Sequence, residues 1–294
     1  MRLSTSVQLI AALVLAGSVG AVDVKTATHQ NSSAWQYDES WFGGFSALHI
    51  SDDGSELIAL SDRAMLVKAR IHRDHGIISG IELLEHWPVL SSTGGLLKGR
   101  AGDSEGIAVA QNGSFFISFE GVHRVAHYPS SQEKAHVLPR PNFFGDLEGN
   151  GSFEGLAIDK LGRVYAVTET SRSAQGEILV FRWDGHNWDT PFGLPPRGRF
   201  KPVAADFGPD GRLYVLERSF SPFGFRSRLR RWKLNEDVAE AEDTLFETGN
   251  GTHDNLEGLS IWKDRNGQLR ATMISDDNFL ALQSTELVEY LLPD

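Results

Sequence analysis

Five glycine-turn hairpins, recurring at a spacing of roughly fifty residues, predict an all-β propeller built of four-stranded antiparallel blades. Three observations carry that expectation. The hairpin arms alternate apolar and polar residues with the period of two that a half-buried strand requires. Each hairpin turns on an Asp- or Asn-containing run that ends in glycine, the chemistry of a tight reversal. No stretch shows a long amphipathic helix, Glu236 to Phe246 being the best short candidate.

The hairpins follow in order. The first is Gly44 to Ile50, the turn Asp52-Asp53-Gly54, then Leu57 to Arg63. The second is Asp103 to Val109, Asn112-Gly113, then Phe115 to Glu120. The third is Gly151 to Ile158, Asp159 to Gly162, then Val164 to Glu169. The fourth is Pro202 to Phe207, Pro209-Asp210-Gly211, then Leu213 to Arg218. The fifth is Asn255 to Ile261, Arg265-Asn266-Gly267, then Leu269 to Asn278. Further strands are expected between them, at Leu66 to Ile71, Arg124 to Tyr128, Ile178 to Trp183 and Leu229 to Leu234. Six blades are expected, the sixth assembled from Ala281 to Leu292 and Ala34 to Phe42, which would leave no exposed sheet edge. A five-bladed ring is the alternative.

Residues 1 to 21 read as an export signal: Arg2, an apolar run from Val7 to Ala16, and the small-residue cleavage site Val19-Gly20-Ala21. The run is too short for a good membrane span. The expectation is a periplasmic or secreted protein. Its mature part, residues 22 to 294, is one propeller domain with no membrane partner once the signal is removed. A formal charge of −11 argues against a nucleic-acid partner. The chain has no cysteine, which excludes disulfide staples, thiol nucleophiles and thiolate metal sites. The strings His123-X-X-X-His127 and Gly102-X-Ser104-X-Gly106 occur, but neither lies on an expected helix or strand-to-helix turn, so zinc and serine catalysis are poor readings, and no P-loop is present.

Aligned on the turn glycine, the hairpins place Ser46, Glu105, Glu154, Val203 and Glu257 at the leading position. The exit position holds Asp62, Glu120, Glu169, Glu217 with Arg218, and Asp276 with Asp277. Corresponding positions of propeller blades converge on one axis, so about eight carboxylates should gather at one mouth of the channel. Like charges at close range raise one another's pKa and call for a bound cation, interleaved arginines or protons. Oxygen-only ligands favour a hard cation, and flexible carboxylates with amides such as Asn255 and Asn278 suit calcium better than magnesium. A ring of salt bridges through Arg63, Arg124, Arg218 and Arg226 is the competing arrangement. The arginine-rich run from Arg218 to Arg231 suits either phosphate recognition or a solvated strand face, with Arg218 on the side of the site.

The runs Gly44 to Leu48, Asp103 to Ala108, Phe153 to Ala157, Leu216 to Phe220 and Asn255 to Leu259 resemble the bacterial phytase-like family, labelled "esterase-like activity of phytase". The stretch Ile274-Ser275-Asp276-Asp277-Asn278-Phe279, followed by Leu282 to Leu287, is the most specific match. The resemblance implies an exported propeller related in architecture to calcium-dependent phytases, with Glu105, Glu154, Glu257, Asp276 and Asp277 as motif acids. Lysine is sparse near these motifs, Lys201 being the closest, which argues against a heavily phosphorylated substrate.

Two functions from different classes follow. One is a calcium-dependent hydrolase of a small-molecule phosphate or other ester, with Glu154 taking a proton, Arg218 or Arg226 neutralising developing charge, and Arg63, Arg218 or Arg226 holding substrate. The other is a non-enzymatic propeller that binds a ligand or protein through the same mouth, favoured by Phe143, Phe144, Phe220, Phe223 and Phe225 near loops. A lactonase-like activity is a third, weaker reading.

Overall fold

The computed structural model describes residues 26–147, 151–280 and 282–293. The expected export signal, residues 1 to 21, and Ala281 lie outside the described residues. Among the described residues no helix is long and apolar enough to cross a membrane.

The first strand, β1 (Thr28–Ala34), stands apart from its neighbours in sequence. Blade one follows: β2 (Phe45–Ile50), β3 (Glu56–Ser61), β4 (Met65–Asp74) and β5 (Ile77–Pro88). Blade two is β6 (Ser104–Val109), β7 (Phe115–Phe119), β8 (Arg124–Tyr128) and β9 (His136–Val137). Blade three is β10 (Phe153–Ile158), β11 (Val164–Arg172) and β12 (Ile178–Trp183), with its outer strand split into β13 (Trp188–Asp189) and β14 (Gly193–Leu194). Blade four is β15 (Lys201–Phe207), β16 (Leu213–Ser221), β17 (Gly224–Asn235) and β18 (Val238–Glu247). Blade five is β19 (Leu256–Lys263), β20 (Leu269–Ser275) and β21 (Glu286–Leu291), with β1 as its outermost strand.

The ring therefore has five blades, not six. The two segments expected to make a sixth unit instead complete the fifth. β21 is its third strand, and β1 pairs antiparallel with β21, Thr28 opposite Leu291 and Ala34 opposite Glu286. The fifth hairpin supplies one strand after it, so the N-terminal strand fills the missing place and removes a bare edge. Residues 35 to 42, assigned to that sixth blade, are the connection into blade one, where Trp35 stacks on Phe45 at 5.5 Å between ring centroids. Glu236 to Phe246 is not a helix. Most of it is β18, whose acids oppose the basic β17, Asp243 facing Arg231 and Glu240 facing Lys233.

Five apolar clusters sit between the five pairs of adjacent blades. Between blades three and four, for example, Tyr165, Val167 and Val180 pack against Ala205, Val215 and Trp232. A middle strand is thus covered on both faces, which is why Val164-Tyr165-Ala166-Val167 is buried throughout rather than alternately.

Candidate functional site

The five innermost strands share one irregularity. Register with the second strand slips between Phe45 and Ala47, Ser104 and Gly106, Phe153 and Gly155, Pro202 and Ala204, and Leu256 and Gly258. The extra residue in each bulge is Ser46, Glu105, Glu154, Val203 or Glu257, the set that the turn alignment puts at the leading position. A bulge breaks the two-residue alternation and re-aims one side chain.

Three of these residues are followed by glycine, and the space explains it. A Cβ on Gly106 would lie 2.7 Å from Leu156 Cβ and 2.9 Å from the Glu154 carbonyl oxygen of the next blade. One on Gly155 would lie 2.9 Å from both Cβ and the backbone nitrogen of Ala205. Glycine lets neighbouring inner strands approach backbone to side chain, and that draws the bulged acids of successive blades together.

The exit positions are fixed by the same register. Asp62 N donates to Gly44 O at 2.8 Å, Glu120 N to Asp103 O at 3.0 Å, and Asp276 N to Asn255 O at 2.9 Å. Glu169 follows Thr168, the partner of Phe153, and Arg218 pairs with Lys201. The exit ring therefore reads Asp62, Glu120, Glu169, Arg218 and Asp276. Glu217 is not part of it. It is equivalent to Ser61, Phe119, Thr168 and Ser275 and lies on the opposite face of its strand, fully buried. There it accepts from Arg228 Nε at 2.7 Å, Arg230 Nε at 2.9 Å and a terminal nitrogen of Arg230.

Arg226 also faces away from Arg218, because it pairs with Ser219. It donates to Glu247 and the Thr248 carbonyl and lies over the Phe200 ring. Arg63 is exposed at the rim, its guanidinium 3.3 Å from the centroid of Phe279. Arg124 donates to backbone carbonyls of Val122 and Ala101. Asp277 is a latch between blades five and one: Oδ1 accepts from Gly44 N at 2.9 Å and Phe279 N at 3.0 Å, and Oδ2 from Thr285 Oγ1 at 3.0 Å. Asp276 Oδ1 accepts from Asn278 N at 2.7 Å, and Asn278 Nδ2 donates to Gln283. Asn278 and Phe279 both adopt positive φ, so these carboxylates hold a backbone conformation that side-chain-bearing residues resist.

The remaining acids form one electrostatic unit. Burial pushes Glu105 well up, and Glu257, Glu120, Asp103 and Asp62 add to it. Glu154 is raised well above the ordinary carboxylate range by burial, then by Glu105, Glu120, Glu169 and Glu257. Burial also raises Glu257, against the pull of Arg218. Asp276 rises to about 8 through burial and then Glu257. Asp62 rises to about 6, again chiefly through burial. Burial lowers the affinity of Arg218 for its proton, but Glu257, Glu154 and Glu169 more than compensate. Arg218 donates to Glu257 and Asn255 and lies 3.9 Å from Glu169.

Oxygens of Asp103, Glu105 and Glu120 lie within 4.8 Å of one another. Asp103 was not among the sequence-derived candidates. Its signal was its place two residues before Glu105, the position that Asn255 holds before Glu257. Ser152 holds the same place in blade three, where its Oγ lies 2.8 Å from His123 Nδ1 and its N–H donates to Glu120 at 3.3 Å. An all-oxygen set short of positive charge fits a hard divalent cation.

Residues 40–279 match the family described as phytase-like, "Esterase-like activity of phytase", and the chain belongs to that family. No curated protein matches it. Among solved structures it is similar to the catalytic domain of a GH62 α-L-arabinofuranosidase from Coprinopsis cinerea. That match has TM-score 0.56 and 10% identity, covering 92% of this chain and 97% of the other. It is also similar to a PQQ-bound aldose sugar dehydrogenase from Streptomyces coelicolor, with TM-score 0.47 and 11% identity over 90% of this chain and 98% of that one. A gluconolactonase from Xanthomonas campestris matches with TM-score 0.45 and 13% identity over 91% of this chain and 97% of that one. At these identities the likeness concerns the fold alone.

Proposed function

We propose that this protein is an exported, calcium-dependent hydrolase of small-molecule phosphate or related esters, acting at the acidic mouth. The observation that carries the reading is the convergence of Asp103, Glu105, Glu120, Glu154 and Glu257 beside the single exit-ring cation, Arg218. Asp103, Glu105 and Glu120 would hold the cation. When bound, it supplies Lewis acidity to the ester oxygen and to the attacking water.

The chain's own residues do the rest. Glu154, whose proton affinity burial and the surrounding acids raise, would be ionised once a bound cation offsets their charge, and in that form takes the proton of the attacking water. Arg218, held by Glu257 and Asn255, faces the charge that develops as water adds and the alcohol leaves. The hydrogen bonds that fix Arg218 before substrate arrives reduce the reorganisation needed during reaction.

A panel of p-nitrophenyl phosphate and carboxylate esters, with calcium or with a chelator, tests this. Chelator-sensitive turnover is expected, and Glu154→Gln should lower it by about a hundredfold or more while leaving the fold intact. Turnover that ignores both chelator and substitution would remove Glu154 from its role. The second reading, a ligand-binding propeller without catalysis, is favoured by the exposed rings of Phe220 and Phe223. Ligand binding with no turnover on any ester of the panel would select it.

A further inference from the structure

Blade four is the one blade with no acid at any of three equivalent positions. Its bulge residue is Val203 and its exit residue Arg218. The residue opposite Arg218 is Lys201, where the other blades carry Gly44, Asp103, Ser152 and Asn255. The half-exposed Lys201 ammonium lies 3.3 Å from Glu169. The sector of the mouth at blade four is therefore cationic.

The β16–β17 hairpin continues outward from that sector. Phe220 and Phe225 oppose each other across it, centroids 5.0 Å apart. Strand alternation puts Phe220 on the same face as Arg218, whose guanidinium is 5.7 Å from the Phe225 ring. Phe223 forms the tip. Phe220 is 69% exposed and Phe223 81%. The hairpin is nonetheless firmly held: Gly251 N donates to Phe225 O at 2.8 Å, and Ser221 Oγ donates to Asn250 Oδ1 at 3.1 Å. Bare aromatic rings on a braced support, beside an open site, mark an interaction surface.

We infer that blade four is a subsite for an ester with one anionic head and one apolar tail, Lys201 and Arg218 at the head, Phe220, Phe223 and Phe225 along the tail. The identity of the head group rests on the hydrolase reading; the tail site does not. Outward of Arg218 along the hairpin, the face that carries the rings offers no further cation among the described residues, because Arg226 and Arg228 point to the other face and meet Glu247 and Glu217. A polyanion has nothing to bind along it. An anionic membrane surface would meet the negative mouth beside it.

The test is calorimetric titration, with calcium present, of methyl-, butyl-, octyl- and phenylphosphonate, which cannot be hydrolysed as esters. Affinity should rise by roughly tenfold or more from methyl to octyl, as burial of added methylenes requires. In the Phe220→Ser/Phe223→Ser variant that dependence on tail size should flatten. Leu161→Ser, which alters an exposed apolar residue on the turn at the opposite end of blade three, should leave it as in the parent. Equal affinities across the series, or a dependence that survives in the double variant, overturns the inference. So does loss of binding to phosphatidylcholine vesicles in the variant with the phosphonate series unchanged, which would assign the rings to a membrane. Graded affinity without turnover of any matching ester sinks the hydrolase reading and leaves this subsite standing. Turnover indifferent to tail length does the reverse.

Discussion

Glu217 and Arg218 are adjacent in sequence and serve opposite faces of β16. Arg218 reaches Glu257 on the adjacent blade, while Glu217 turns into the blade and is closed over by Arg228 and Arg230. The site and the blade's internal framework thus meet at a single peptide bond.

The two residues should therefore fail differently. Glu217→Ala strands two buried guanidinium groups and should cost about 3–5 kcal/mol of stability, with or without calcium, in a denaturant titration. Arg218→Met should lower turnover with a far smaller loss of stability. Equal destabilisation by both would contradict the division of labour.

The approach of inner strands at Gly155 is the second test. Gly155→Ala places a methyl 2.9 Å from Ala205 Cβ and its backbone nitrogen. Overpacking of this kind should destabilise by about 1–3 kcal/mol. It should also spread blades three and four and so shift Glu154 relative to Arg218, and turnover should fall with the melting midpoint. Alanine at Gly162, a turn position with nothing near its added Cβ but φ of +79°, should cost stability without changing turnover.

Calcium should behave as a ligand of the folded state. At a hundredfold excess over its dissociation constant it should add ~2.7 kcal/mol to unfolding free energy, read as a raised melting midpoint that a chelator reverses. Asp103→Asn should abolish that increment. A midpoint that ignores calcium in the parent protein would show that Asp103, Glu105 and Glu120 do not hold the ion.

At the far end of the inner strands, Asp206 gives a pH prediction. Its Oδ2 accepts from Ile261 N at 2.7 Å and its Oδ1 from Phe207 N at 2.8 Å, yet burial outweighs both and lifts its pKa from 3.8 to about 7. In that interval the folded chain keeps a proton that the unfolded chain has released. The stability Asp206 contributes is then full below pH about 4 and is lost as pH rises through 7. Relative to Asp206→Asn, the parent protein should lose stability between pH 4 and pH 8 in thermal melts. Parallel pH profiles would refute the elevated value.

Much of this was readable in advance, and the failures have physical causes. Glu120, Glu169 and Arg218 each lie seven residues beyond the turn glycines Gly113, Gly162 and Gly211, so simple counting carries the exit ring around three blades. Strand alternation, which sequence alone does not anchor to a face, decides between Glu217 and Arg218. The blade count failed at β1. That strand lies at an edge and reads Thr-His-Gln-Asn-Ser-Ser-Ala, with no alternation and no turn signal, so nothing local announces its partner. β18 looked helical because an edge strand facing a basic neighbour is rich in acids. Asp103 escaped notice because it precedes the bulge, at a position where the other blades carry Gly44, Ser152, Lys201 and Asn255 and no acid.

The pairing of Thr28–Ala34 with Glu286–Leu291 carries a consequence for how the molecule comes into being. Blades one to four can form from contiguous stretches as they are synthesised. The circle cannot shut until residues more than two hundred and fifty positions apart find each other. Until then the carboxylates of the fifth blade have no fixed relation to those of the first, and the Gly44–Asp277 contact does not exist. The full ring of acids, with Glu257 beside Arg218, is thereby postponed to the last event of folding, and a chain clipped within β21 should lose turnover while keeping most of its hydrophobic interior.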